Sequence, residues 1–245
     1  MEKEWFRRSV WSSEDAKEFE NKLMRAHAGK RAQYLRIQAV HLAEASLDAP
    51  ALQLLERMLV EYPDDYFTAL AHSQRANILL RLDKIEEAIV AYRHAMEAQR
   101  ENPNVHTNAY LDFAWFVANT YRTSLFDEAL DILKEFGGDE AFPVMKFKYF
   151  GALAINQATI GNLPVASIHA KKALAAIETK ESDFRYHRNI GGVTPIKPDT
   201  RMLPLRTFYT PSGTASSSPD ADGPRCSPRT MLATGPEPAL HSPGG

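Results

Sequence analysis

The sequence predicts an all-α protein, a right-handed α-solenoid of about four helix–turn–helix repeats with an N-terminal capping helix and a disordered C-terminal tail. Three observations support this prediction. Four segments resemble one another, residues that start and stop helices flank these segments, and the composition changes abruptly near residue 190.

The repeats are clearest in four segments that each open with an alanine, at Ala51, Ala88, Ala129 and Ala166. These alanines lie 37, 41 and 37 residues apart. Within each segment, apolar residues recur at about i, i+4 and i+7, which places them on one face of a helix. We expect each segment to be the second helix of a repeat.

Residues suited to helix boundaries surround these second helices. Short polar side chains that can cap a helix N-terminus stand ahead of each one. They are Asp48, Asp83, Ser124 and Asn162. Pro50 and Pro164 fall in first turns, where the missing N–H of proline costs no hydrogen bond.

A partner helix is predicted ahead of each second helix. The predicted ranges are 30–45, 66–82, 106–122 and 143–160. Alanine recurs midway along them, at Ala39, Ala76, Ala118 and Ala154. Because helices that pack closely need small side chains where they cross, we expect these alanines to mark the crossing points.

The N-terminal segment precedes the repeats. A helix over 13–28 with a single apolar stripe is expected to cover the exposed end of repeat one, as the terminal units of a solenoid require. Ahead of it lie Trp5, Phe6 and Trp11, which either fold back on the array or form a docking epitope. We expect them to fold back.

Three regions follow from this pattern. They are the N-terminal segment with its capping helix (1–29), the repeat domain (30–190, with repeats of about 30–65, 66–104, 105–140 and 143–180) and the tail (191–245). Ten of the 15 prolines and seven of the 12 glycines fall in the tail. We expect this region to be disordered, because it cannot bury enough apolar surface to offset its ordering entropy. It is either a linker or binding arm, or a non-native, frameshifted C-terminus.

The repeats resemble the tetratricopeptide repeat family. Repeat two matches through Ala76, Leu79, Glu87, Ala88, Tyr92 and Ala95. Repeat four matches through Ala154, Gly161, Ala166, Ala170 and Ala173. The spacing exceeds the 34 residues typical of the family, and repeat three matches least well. The resemblance spans roughly residues 30–180 and implies a solenoid that binds a protein or peptide in its concave groove.

The family's groove-facing positions project onto nine residues here. They are Arg36, Ser73, Asn77, Arg81, Asp112, Trp115, Asn119, Arg122 and Lys148. The set holds four cations and two asparagines against one acid, and it includes a tryptophan that can serve as a rigid anchor. This composition predicts a groove for an acidic or carboxylate-bearing peptide. The alternative is that these are ordinary solvated polar positions and one packed tryptophan.

Composition and motifs favour a soluble cytoplasmic protein without catalytic activity, metal or cofactor. The net charge is −2, so no general attraction to nucleic acid or membrane is expected. The only cysteine is Cys226, and the N-terminal residues lack the apolar core of a signal peptide. Metal-binding H-E-x-x-H, phosphate-binding and nucleophile-elbow motifs are absent from the sequence.

Three functions stay open from the sequence. The first is a scaffold or adaptor whose groove captures a peptide or helix of a partner protein. The second is an immunity or antitoxin-like protein that neutralises one cognate toxin. The third is a structural subunit that assembles with copies of itself. The sequence does not decide the partner or the biological process.

Overall fold

The structure is a computed structural model that describes residues 4–63, 66–138 and 140–178. Within these residues it is all-helical, with no strand. The predicted tail, 191–245, lies outside the described residues. The described chain falls into two compact units, which divide between Tyr110 and Leu111.

The first unit contains five helices among its described residues. They are α1 (Ser13–Arg25), α2 (Ala28–Glu44), α3 (Asp48–Glu61), α4 (Thr68–Arg81) and α5 (Ile85–Glu101). Helix α2 packs on α3, α3 on α4, and α4 on α5. Helix α1 is the predicted capping helix, and Phe19 and Leu23 from its apolar stripe are buried in the same core as α2 and α3.

The second unit begins within α6, whose first two residues precede the division at Leu111. Its elements are α6 (Ala109–Asn119), a 3₁₀ turn (Thr123–Leu125), α7 (Phe126–Phe136), α8 (Pro143–Thr159) and α9 (Leu163–Glu178). Helix α8 packs on α9 and contacts α7. The Nδ2 atom of the buried Asn156 donates to the carbonyl of Phe126 at 3.3 Å, which ties α8 to the start of α7.

Every predicted repeat helix is present. The four first helices are α2, α4, α6 and α8, and the alanines predicted at their crossing points are all at most 3% exposed. The four second helices are α3, α5, α7 and α9. In each of them the leading alanine is the fourth helical residue and is at most 5% exposed, so the same position of each second helix is buried.

The turns between first and second helices share one backbone geometry. Each contains one residue with positive φ, namely Ser46 (62°), Asp83 (58°), Tyr121 (52°) and Gly161 (84°). In each turn this residue donates its N–H to the carbonyl three residues back, and the next residue donates to the carbonyl five residues back. These two bonds form a Schellman motif, which satisfies the free carbonyls of the first helix and reverses the chain.

The third turn carries a three-residue insertion. From the positive-φ residue to the leading alanine the chain advances five residues in three turns, as from Gly161 to Ala166, but eight from Tyr121 to Ala129. The extra residues are the 3₁₀ turn Thr123–Leu125. This insertion explains why the third repeat fits the sequence pattern least well.

The predicted side-chain caps are wrong for three of the second helices. Helices α3, α5 and α7 begin after Leu47, Lys84 and Leu125, and none of these has a capping side-chain bond. Asp48 is the first helical residue of α3, Asp83 occupies the positive-φ position, and Ser124 lies in the 3₁₀ turn. Because the Schellman turn leads directly into the next helix, the residue before α3 or α5 does not have the extended backbone that a side-chain cap needs.

We expect the same substitution to have different effects on stability at two glycines. Gly161→Ala should lower the free energy of unfolding by about 1 kcal/mol, because alanine is strained at a φ of 84°. Gly29→Ala should leave it unchanged or raise it, because Gly29 lies in the first turn of α2 and a Cβ there meets only ordinary contacts. Urea unfolding of both variants checks this, and equal effects would contradict the role of the left-handed turn.

Candidate partner-binding surfaces

The predicted groove residues of the first unit make contacts within the chain. Arg36 is 5% exposed, and its guanidinium lies 5.0 Å from the centroid of Phe67. Ser73 is buried. Asn77 accepts a hydrogen bond from the hydroxyl of Tyr92 at 2.7 Å, so its amide oxygen links α4 to α5.

Arg81, at the end of α4, forms an ion pair with Asp48, at the start of α3. Its Nε donates to Asp48 Oδ1 at 3.0 Å, and its Nη2 donates to the same oxygen. Both side chains are less than one-fifth exposed. The pair therefore joins two successive hairpins and neutralises the cation that the sequence assigns to the groove.

In the second unit, a similar pairing joins α6 to α8. Lys148 donates to Asp112 Oδ1 at 2.6 Å, with both side chains about one-fifth exposed. Next to this pair, the rings of Trp115 and Phe147 lie 5.1 Å apart between centroids. The ion pair thus brings together two predicted groove residues, Asp112 and Lys148, and Trp115 packs beside them on a ring that was not among the nine.

The remaining predicted residues lie at the end of α6. Asn119 is its last residue and is half-buried. Arg122 follows in the turn, with its guanidinium 5.5 Å from the centroid of Phe116. The predicted groove residues of this unit are half-buried and combine an aromatic ring, an amide and charged groups. As a partner-binding surface, the nine predicted residues remain a prediction.

The structure reveals a second surface that the sequence did not identify. We call it the N-terminal clasp; it consists of Gln38, Phe19, Tyr34, Asp15 and Glu18, which contact the segment around Arg8. Gln38 of α2 is fully buried, and its side-chain amide holds the backbone of Arg8 at both polar atoms. The Arg8 N–H donates to Gln38 Oε1 at 3.0 Å, and Gln38 Nε2 donates to the Arg8 carbonyl at 2.8 Å. A single amide side chain therefore binds both backbone polar groups of one residue.

Aromatic rings hold the segment on the amino side of Arg8. A turn over residues 4–7, closed by the Arg7 N–H on the Glu4 carbonyl at 3.0 Å, directs two neighbouring rings to one side. The Trp5 ring lies 5.3 Å from Phe19 and 5.0 Å from Tyr34, and Phe6 lies 4.6 Å from Tyr34. Trp11 adds a contact with Phe19 at 5.5 Å. The prediction that these aromatics fold back on the array is confirmed.

Two carboxylates of α1 hold the Arg8 side chain. Its Nη1 donates to Asp15 Oδ1 at 2.6 Å, and its Nη2 lies 2.5 Å from Glu18 Oε2. Asp15 also accepts from the Ser12 N–H in the capping box that starts α1. The hydrogen bond from Arg8 is the main cause that lowers the pKa of Glu18, and those from Ser12 lower the pKa of Asp15.

A detail of the sequence could have indicated Gln38. It stands among Leu35, Ile37, Ala39 and Leu42 on a predicted repeat helix. A buried amide needs partners for both its donor and its acceptor. The sequence does not show that one residue 30 positions away supplies both.

The rings of His72 and His94 lie side by side in the first unit. Their ring centroids lie 5.2 Å apart between α4 and α5. Burial, then His94 and Arg75, lowers the pKa of His72 to about 4. Over the described residues, no group of three or more histidines, cysteines or carboxylates is arranged to hold a metal ion.

Comparisons place no known protein beside this chain. Family models, curated proteins and solved structures all give no significant match. Over the described helices, none is both long and apolar enough to cross a bilayer.

We expect stability to fall as the pH is lowered from about 6.5 toward 4. In this window the unfolded chain binds a proton at His72 that the folded protein excludes, so protonation favours unfolding. Urea unfolding at pH 7 and pH 5 should show a smaller loss in His72→Phe than in the parent protein. Parallel losses in the two proteins would contradict this role of His72.

We also expect Gln38→Leu to release Arg8 while α1 stays folded. Leucine keeps the approximate shape of glutamine but removes both hydrogen bonds, so hydrogen exchange at the Arg8 amide should accelerate by about tenfold or more. The Ser12 amide, bonded to Asp15, serves as the internal reference. Gln33→Leu, on the same helix, is the matched control. Unchanged exchange at Arg8 would show that Gln38 does not hold the segment.

Proposed function

We propose that this chain is a non-catalytic protein-interaction module built from tetratricopeptide-like repeats, which stack in a right-handed α-solenoid and bind a peptide or helix of a partner protein. The observation that carries the proposal is the recurrence of one turn geometry at Ser46, Asp83, Tyr121 and Gly161. Recurrence of the same hydrogen bonds at intervals of 37 to 40 residues supports a repeat architecture.

The first helices supply side chains suited to peptide binding. Asn119 can donate to and accept from a peptide backbone, and Trp115 offers a rigid apolar surface, whereas Asn77 already uses its amide oxygen on Tyr92. Trp115, Asn119 and the Asp112–Lys148 pair follow one another on α6 and α8 within a single unit. This group is the best-supported part of the proposed groove.

The charges qualify the proposed preference for an acidic peptide. Arg81 and Lys148 already pair with Asp48 and Asp112. A ligand carboxylate would therefore have to replace an existing ion pair, and such an exchange gains little free energy because one pair is broken for each pair formed. We propose that backbone and aromatic contacts supply most of the affinity, and that carboxylate recognition is secondary.

Site-specific photocrosslinking in cells tests the groove. We expect Trp115→p-benzoylphenylalanine to give adducts with a partner protein, because the benzophenone replaces one aromatic group with another in the proposed site. The matched control is Ile168→p-benzoylphenylalanine, on α9, where the side chain is 54% exposed and points away from the buried alanines of that helix.

The adducts separate the candidate functions. Adducts from position 115 but not from 168 support the groove, and a single stoichiometric partner would favour the neutraliser over a general adaptor. Adducts between two copies of this chain would favour a self-assembling subunit. Equal adducts from the two positions would overturn the proposed site. A cytoplasmic location is part of the proposal and is checked by fractionating the same cells.

A further inference from the structure

We propose that the N-terminal clasp is a second peptide-binding site, which accepts a basic segment of a partner protein with two adjacent aromatic residues followed, two positions after the second, by an arginine. The chain's own Trp5-Phe6-Arg7-Arg8 segment is the resident occupant and competes with that partner. The proposal concerns α1 and α2 only and does not depend on the proposed groove.

The backbone contact is independent of ligand sequence. Gln38 uses its carbonyl and its amino group on the N–H and C=O of one residue, at 3.0 and 2.8 Å. Every residue except proline carries both backbone groups. Gln38 can therefore hold the main chain of any non-proline residue that reaches it in the position of Arg8.

The aromatic contacts add specificity. Phe19 and Tyr34 receive the rings of Trp5 and Phe6, which the turn over residues 4–7 places side by side. Aromatic pairs at such separations contribute about 0.5–1.5 kcal/mol beyond their buried area. A ligand that lacks two adjacent rings in a turn would lose these contacts.

The two carboxylates determine the charge of the side chain that the site accepts. Asp15 and Glu18 both engage the Arg8 guanidinium, at 2.6 and 2.5 Å, so the site selects a cation. This chemistry is opposite to the acidic-peptide preference predicted for the groove. The two surfaces are also apart on α2, because Arg36 is two residues from both Tyr34 and Gln38 and faces about 160° away from each.

The occupant lies on the surface and can be exchanged. Arg7, Ser9 and Val10 are exposed, and Trp5, Phe6 and Trp11 are only partly buried. A tethered segment competes at an effective concentration of roughly millimolar. A separate ligand therefore meets a largely occupied site, and its apparent affinity is reduced by the fraction of sites that are open.

Peptide binding to the full chain tests the proposal. The probe is a fluorescein-labelled peptide with the sequence of residues 1–11, and binding is followed by fluorescence anisotropy. The double variant Trp5→Ala/Phe6→Ala should bind the probe at least about tenfold more tightly than the parent chain, because its own segment no longer competes. Adding Gln38→Leu to this variant should reverse the gain, and adding Gln33→Leu should not.

Controls make each outcome decisive. Circular dichroism establishes that the variants fold, and Arg8→Glu offers a second way to free the site if the aromatic double variant does not. A probe carrying Arg8→Glu should bind at least about tenfold more weakly if the carboxylates read the cation. If the probe does not bind a folded, freed variant, or binds equally with and without Gln38, the proposal is overturned. A parent-chain dimer that Gln38→Leu dissolves, seen by light scattering, would also overturn it, by showing that the occupant is a second copy's segment.

Discussion

The pairing of helices in this protein depends on a backbone reversal that leaves one residue in the left-handed region. At Gly161 the reversal has no steric cost, whereas Ser46, Asp83 and Tyr121 adopt it against their preference. In three of the four turns the next helix begins two residues after the reversal, which places the leading alanine at the fourth helical position. Small side chains there and on the first helices allow the close helix packing from which the core is built.

Charged groups on the first helices serve the fold before they serve a partner. Arg81 and Lys148 each have a carboxylate partner on a neighbouring helix, and Asn77 accepts from Tyr92. A polar residue at a groove-facing position is therefore weak evidence for ligand chemistry by itself. In the second unit, the proposed groove therefore depends on Trp115 and Asn119, beside the internally neutralised Asp112–Lys148 pair.

The contacts of the N-terminal segment show how a small helical surface can bind a peptide chain. One amide binds the main chain, two rings receive the aromatic side chains, and two carboxylates bind the arginine. The amide contact does not depend on the bound sequence, whereas the ring contacts and the ion pairs do. The aromatic and acidic chemistry of this site differs from that of the nine predicted groove residues, so the two proposals call for different partners.

The sequence by itself determined that the described chain is helical, where each helix lies, and which alanines are buried, because helical periodicity and small-residue spacing are local properties of the chain. It did not determine the turns: Asp83 looks like a helix cap but takes the left-handed position. Nor did it determine the ion pair of Arg81 with Asp48, 33 residues away, or the clasp of Gln38 on Arg8, 30 residues away. Only the tertiary structure decided these contacts, because partners for buried polar groups are set by how helices pack and not by the residues that flank them.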